Sequence, residues 1–306
     1  MNKKTIGIPK AFLYYRYHIL WEKFFSLLGY EVVISEDTTK ETIELGKIYS
    51  IDESCLSSKI YLGHVASLKD KCDYILIPRI DNYGTGEKVC VKFNATYDLV
   101  KNLFTDYQIL DYNIDKKKHS GEFFSLMKLG LKLTNNPWKL LKSYILAKKE
   151  EKSYQKKRII EQSKKLNSTN PRILVVAHPY NIYDNYIGTP IIKKLESLGI
   201  DIIYADVLDR KTAKLYAKRL SPTLYWTYSK ELIGAISYYQ YIIDGIIFIT
   251  SFPCGPDSLV NELMLRKIKD IPITNILVDE LSASTGLETR LESFVDIIKE
   301  RRDTYE

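Results

Sequence analysis

Apolar and polar positions run along this chain in blocks whose period switches between strand-like and helical, which predicts an α/β protein. Thr5 to Ile8 reads as a short strand closed by Pro9. Tyr17, Leu20, Trp21, Phe24 and Leu27 then recur at the 3,4,7 spacing of an amphipathic helix, which Gly29 can end with a left-handed cap. Glu31 to Ser35 returns as a strand, so the chain opens on a βαβ unit. No glycine-rich phosphate fingerprint lies in its first turn, which argues against a standard dinucleotide site there. Thr38 and Glu41 have the spacing of a capping box for a short helix fading near Gly46. Lys59 to Leu68 has a helical pattern, Tyr74 to Ile77 reads as a strand stopped by Pro78 and Arg79, and Asp81 to Lys88 reads as a loop. Phe93, Tyr97, Val100 and Phe104 again fall at helical spacing, before a short strand around Ile109 to Tyr112.

From Gly121 to Lys165 the signals are helical only, with Pro137 suited to a first helical turn, and the polar stretch Asn167 to Pro171 reads as a linker. Beyond it strands at Ile173 to Ala177, Ile202 to Tyr204, Gly245 to Thr250 and Ile273 to Val278 alternate with helices at Ile191 to Leu198, Tyr228 to Tyr239, Ser258 to Lys267 and Leu287 to Arg301. Such alternation means a parallel sheet covered on both faces. The expected organisation is an N-terminal α/β lobe over 1–115, a lysine-rich helical segment over 116–168 and a C-terminal α/β lobe over 169–306. Three strand ends of the last lobe, Ala177-His178-Pro179-Tyr180, Phe252-Pro-Cys254-Gly-Pro and Asp279-Glu280, are expected along one crevice at the carboxyl edge of its sheet.

Composition narrows the function classes. The chain has 306 residues, 45% hydrophobic and 27% charged, with no apolar run near the ~20 residues of a membrane span and no signal-like start, so a cytoplasmic location is expected. The net charge of +7 makes nucleic acid thinkable, but much of the excess sits between Lys116 and Lys165 without interleaved aromatics, the pattern of a solvated helix face. Four cysteines in such a chain argue against a disulfide framework and, if they act, for metal or redox chemistry.

Cys55, Cys90 and Cys254 each sit in a loop directly before an expected helix, where the positive helix end favours thiolate over thiol. Cys72 comes just before a strand, at the opposite sheet edge, and reads as structural. The spacing of the three lacks the close pairs of structural zinc sites. Soft thiolates also suit iron-sulfur clusters, and a cubane held by three cysteines keeps one iron open. Spacing alone leaves small core residues at crowded turns as the competing reading.

Ile6-Gly-Ile-Pro-Lys-Ala-Phe-Leu-Tyr-Tyr15, Asp52-Glu-Ser-Cys55, Tyr61-Leu-Gly-His-Val65, Tyr74-Ile-Leu-Ile-Pro-Arg79, Cys90-Val-Lys-Phe93, His178-Pro-Tyr180, Pro253-Cys-Gly-Pro-Asp-Ser258 and Thr289-Arg-Leu-Glu-Ser-Phe294 together resemble the iron-sulfur components of the 2-hydroxyacyl-CoA dehydratase and benzoyl-CoA reductase superfamily. The resemblance is strongest to the DUF2229 branch of CoA-substrate-specific enzyme activase-related proteins. It implies two Rossmann-like lobes, mostly parallel sheets and a [4Fe-4S] cluster held by Cys55, Cys90 and Cys254. It further implies a separate ATP-hydrolysing activator of actin-like fold, low-potential electron transfer, and reductive chemistry on a CoA thioester or small molecule. A homo- or heterodimer without nucleic acid or membrane is expected. Val91 stands where the family often has proline, Ala177 where it has glycine, and Leu-Ser-Ala-Ser follows Glu280 where a histidine is common.

His64 and His178 are the candidates for proton transfer or support of the cluster, and Asp52, Glu53, Asp257, Asp279 and Glu280 for acid-base roles; helix capping explains Asp52 and Asp257 equally well. Two other readings stay open. One is a non-catalytic docking or scaffold module using the lysine-rich helices, and the other a metal-free enzyme with Cys254 as nucleophile and His178 as base.

Overall fold

The computed structural model describes residues 3–84, 87–280 and 284–305. The expected opening βαβ unit is present: β1 (Thr5–Ile8), α1 (Tyr14–Leu28) and β2 (Glu31–Ile34). Gly29 caps α1 at φ 98°, the left-handed geometry a glycine adopts without a Cβ penalty. Tyr17, Leu20, Trp21 and Phe24 are buried as the spacing requires, and at the end of α1 it is Leu28, not the half-buried Leu27, that completes the stripe.

Next come α2 (Lys40–Ile48), α3 (Leu56–Ser67), β3 (Tyr74–Gly84), β4 (Glu87–Lys88), α4 (Val91–Leu103) and β5 (Ile109–Asp115). The capping box of α2 is Thr39 with Thr42, a correction of one residue to the Thr38–Glu41 expectation. Pro78 does not stop β3. It pairs with Tyr112 of β5, while β1 reaches only Tyr74 and Ile75 on β3, so the missing N–H falls where the strand lacks that neighbour. Much of the expected loop is therefore strand, with β4 pairing antiparallel to the far end of β3; Gly86 lies outside the described residues. The parallel strands of this sheet run β2-β1-β3-β5. Gly46 and Gly63 let α2 and α3 touch, since a Cβ on either would stand 1.9 Å from Lys59 O or 2.0 Å from Thr42 O.

Two helices follow, α5 (Glu122–Gly130) and α6 (Pro137–Leu166). Pro137 opens α6 as expected, and Lys142, Lys149, Lys152, Lys156 and Lys157 are exposed, as a solvated face requires. The rest of the chain is β6 (Arg172–Val176), α7 (Pro179–Ile182), α8 (Gly188–Ser197), β7 (Asp201–Tyr204), α9 (Arg210–Leu220), α10 (Thr227–Tyr239), β8 (Gly245–Ser251), α11 (Gly255–Lys267), β9 (Ile273–Val278) and α12 (Ser284–Tyr305). Their sheet is wholly parallel in the order β7-β6-β8-β9, and every residue of the inner strand β8 is buried. The protein is thus an α/β protein with two Rossmann-like, mostly parallel sheets.

By its contacts the chain divides into two compact units, Met1–Gln155 with Tyr225–Thr227, and Lys156–Leu224 with Tyr228–Glu306. In the first, Lys139 Nζ donates to Leu28 O at 2.8 Å and Lys148 pairs with Glu122 at 2.6 Å, which docks the start of α6. Here too Lys88 N donates to Tyr225 O at 3.0 Å and Thr227 Oγ1 donates to Lys88 O at 3.1 Å. In the second, buried Gln162 splices the end of α6 onto β7, donating to Tyr204 O and accepting from Tyr204 N at 3.2 and 2.8 Å. Among the described residues no helix is long and apolar enough to cross a membrane.

Candidate functional site

In the first unit Cys55 and Cys90 are the N-cap residues of α3 and α4. Their backbones match closely, at φ −62°, ψ 150° and φ −57°, ψ 140°, and neither side chain makes a capping bond. Each carbonyl instead starts its helix, Cys55 O accepting from Lys59 N at 3.1 Å and Cys90 O from Phe93 N at 3.0 Å. Ordinary N-caps spend their side chain on the helix. Here neither sulfur does so, although both stand beside a positive helix end, and both residues are half-buried.

The two turns are tied together. Lys92 Nζ, two residues after Cys90, donates to Ser54 Oγ at 3.4 Å, one residue before Cys55. Behind them Phe12 stacks on Tyr61 of α3 and meets Phe93 of α4 edge-on, both at 5.1 Å between centroids. Phe12 is buried and adopts φ 48°, a left-handed conformation that a bulky residue rarely takes and that only surrounding packing sustains. Its wedge role was missed in the sequence. The one available signal was Pro9-Lys-Ala-Phe12 directly after the first strand.

In the second unit Cys254 caps α11, which starts three residues earlier than the spacing suggested because Gly255 and Pro256 join its first turn. Proline costs nothing at that position. Asp257 therefore lies inside the first turn, buried, and its Oδ1 is 2.9 Å from His178 Nε2. His178 follows β6 and Cys254 follows β8. The chain leaves β6 toward β7 on one side and returns as β8 on the other, so these ends flank the point where strand order reverses, the place where open α/β sheets bind ligands. Ser251 Oγ donates to Asn181 Oδ1 at 2.7 Å, and Asn261 Nδ2 to Thr250 Oγ1 at 2.8 Å, which gives this edge a buried polar floor.

The remaining expected residues divide. His64 is buried, with Nδ1 2.8 Å from Ser35 Oγ and Nε2 2.9 Å from Thr38 Oγ1. Desolvation, helped by the Lys10 charge and opposed by Asp37, pushes its pKa down to about 4, so the ring is a neutral strut between β2 and α3. Asp52 and Glu53 are exposed just before Cys55, and Asp279 and Glu280 are half-buried after β9. Leu281 to Ala283 lie outside the described residues. Cys72 packs over Gly7 of β1, where an added Cβ would come 2.5 Å from its sulfur, and desolvation raises its thiol pKa. Among the described residues no three His, Cys, Asp or Glu side chains stand arranged to hold a metal ion.

The family model described as the CoA enzyme activase uncharacterised domain (DUF2229) matches residues 5–208, which include Cys55, Cys90 and His178 but not Cys254 or Asp257. No curated protein matches this chain. A solved structure titled "Crystal structure of ZnuA" is similar over 97% of this chain and 99% of that one, at 9% identity and a TM-score of 0.30, a likeness too slight to carry an argument. With two-thirds of its length matched by that family model, the chain belongs to the CoA enzyme activase uncharacterised domain (DUF2229) family.

Proposed function

We propose that this protein is a redox component that binds a [4Fe-4S] cluster through Cys55, Cys90 and Cys254. It would accept low-potential electrons from a separate ATP-dependent activator and serve reductive chemistry on a CoA thioester or small molecule. The observation that carries the reading is the shared placement of the three cysteines. Each is a half-buried N-cap of a helix, and none uses its side chain to cap. The donor set fits the group: soft thiolates suit iron-sulfur centres, and the three positive helix ends offset the charge that thiolates bring. Cys72, packed in the sheet layer, does not share that placement. When bound, such a cluster supplies one-electron chemistry, and three cysteine ligands leave an iron for a further ligand.

Iron and acid-labile sulfide, measured in protein purified without oxygen, test the reading. About four of each per chain are expected, lost or much reduced in Cys55→Ala, Cys90→Ala and Cys254→Ala. Protein that stays iron-free after reconstitution overturns it.

The buried His178–Asp257 pair favours one alternative, a metal-free thiol enzyme in which Asp257 orients His178 as base for Cys254. That reading expects stoichiometric alkylation of Cys254 and indifference to iron.

A further inference from the structure

His178 is 6% exposed, and its two ring nitrogens are not equivalent. Nε2 is 2.9 Å from Asp257 Oδ1, while Nδ1 is buried and makes no hydrogen bond among the described residues. A buried polar atom left without a partner is destabilising, and native structures leave few of them. In the neutral ring the tautomer that donates Nε2–H to Asp257 carries its lone pair on Nδ1. Tyr180 stacks on the imidazole at 5.0 Å and Tyr228 meets it edge-on at 6.1 Å, which fixes the ring plane.

A carboxylate holding the far N–H of a buried imidazole is the arrangement that surrounds metal-ligating histidines. The carboxylate here belongs to the first turn of α11, three residues after Cys254 caps that same turn. One helix start therefore presents a thiol and orients an imidazole, at the point in the sheet where ligands bind.

We propose that His178 provides a nitrogen ligand, through Nδ1, to the metal centre held by Cys254. The inference rests on the cluster reading and adds a fourth protein donor to its three thiolates. Asp257 is the positioning residue: it fixes the tautomer and the ring orientation without touching the metal.

The test is pulsed electron paramagnetic resonance on the chemically reduced, cluster-loaded full chain, with and without 15N-labelled histidine. A histidine nitrogen coupling is expected in the wild type, changed by the label and absent from His178→Ala while its iron and sulfide stay near wild type. Asp257→Asn is expected to weaken iron retention against a chelator by about 10–100-fold, a readout that holds even if His178→Ala does not fold. Loaded wild type with no histidine coupling, coupling that survives in His178→Ala, or unchanged retention in Asp257→Asn each overturn the ligand assignment alone. Wild-type protein that takes up no iron or sulfide overturns the cluster reading and this inference together. A thiol enzyme with His178 as base would then be indicated by loss of Cys254 alkylation in His178→Ala.

Discussion

Thr38 Oγ1 lies 2.9 Å from His64 Nε2, and this bond accounts for the one-residue shift in the start of α2. Thr38 is occupied by the histidine, so the capping box falls to Thr39 and Thr42. Ser35 Oγ completes the strut, accepting from Lys10 N at 2.8 Å while bonding His64 Nδ1.

A pH-dependent stability follows. His64 has an unfolded pKa of 6.5 and a folded one near 4, so the unfolded chain binds the extra proton in between. The stability from keeping the ring neutral is complete above about pH 6.5 and falls away toward pH 4, a change of about 3 kcal/mol. Urea midpoints compared at pH 7 and pH 5 should differ in wild type and much less in His64→Gln. Thr38→Ala should lose about 1–3 kcal/mol at pH 7 by orphaning Nε2.

Phe12→Ala removes the wedge behind both cysteine turns. Loss of a buried phenylalanine costs about 3–5 kcal/mol, and amide exchange should quicken first in the opening turns of α3 and α4. Tyr61 gives a control of opposite sign, because its buried hydroxyl has no hydrogen-bond partner among the described residues. Tyr61→Phe should be neutral or stabilising by about 1 kcal/mol. A loss of stability there would mean the hydroxyl has a partner in solution.

At Gly46 and Gly63 the added methyl meets backbone rather than a mobile side chain. Either glycine changed to alanine should push α2 from α3 and cost about 1–3 kcal/mol or more, which thermal unfolding would read. Gly255→Ala, with open space around its Cβ, should by contrast change stability little.

Cys72 separates structure from chemistry. Cys72 is half-buried and its sulfur donates to Leu68 O at 3.6 Å, so Cys72→Ser keeps that partner and should change stability by about 1 kcal/mol or less while leaving the iron content of reconstituted protein unchanged. Equal iron loss in Cys72→Ser and Cys90→Ala would remove the distinction between them.

The elements were largely legible in the sequence because each reports its own local physics. A 3.6-residue stripe gives α1, alternation of apolar strands with helices gives the parallel sheet from β6 to β9, and a cysteine before a helical pattern gives each N-cap. Two of the errors share one origin: Pro78 within β3 and Thr39 as cap depend on what lies beside the segment, which period and propensity do not encode, whereas the early start of α11 follows from Gly255 and Pro256 in its own first turn.

By itself the sequence determined the α/β class, the placement of Cys55, Cys90 and Cys254 each just ahead of a helix, and the exclusion of Cys72 from that group. These follow from spacing along a single segment. Only the tertiary structure decided which polar groups meet: His64 with Ser35 and Thr38, His178 with Asp257, and Phe12 between Tyr61 and Phe93. Such partners are separated by 26 to 79 positions for the polar pairs, and they come together because strand order brings distant chain ends to one sheet edge. Residue type alone made His64 and His178 look alike; burial with two partners made the first a strut, and burial with one left the second a nitrogen to offer.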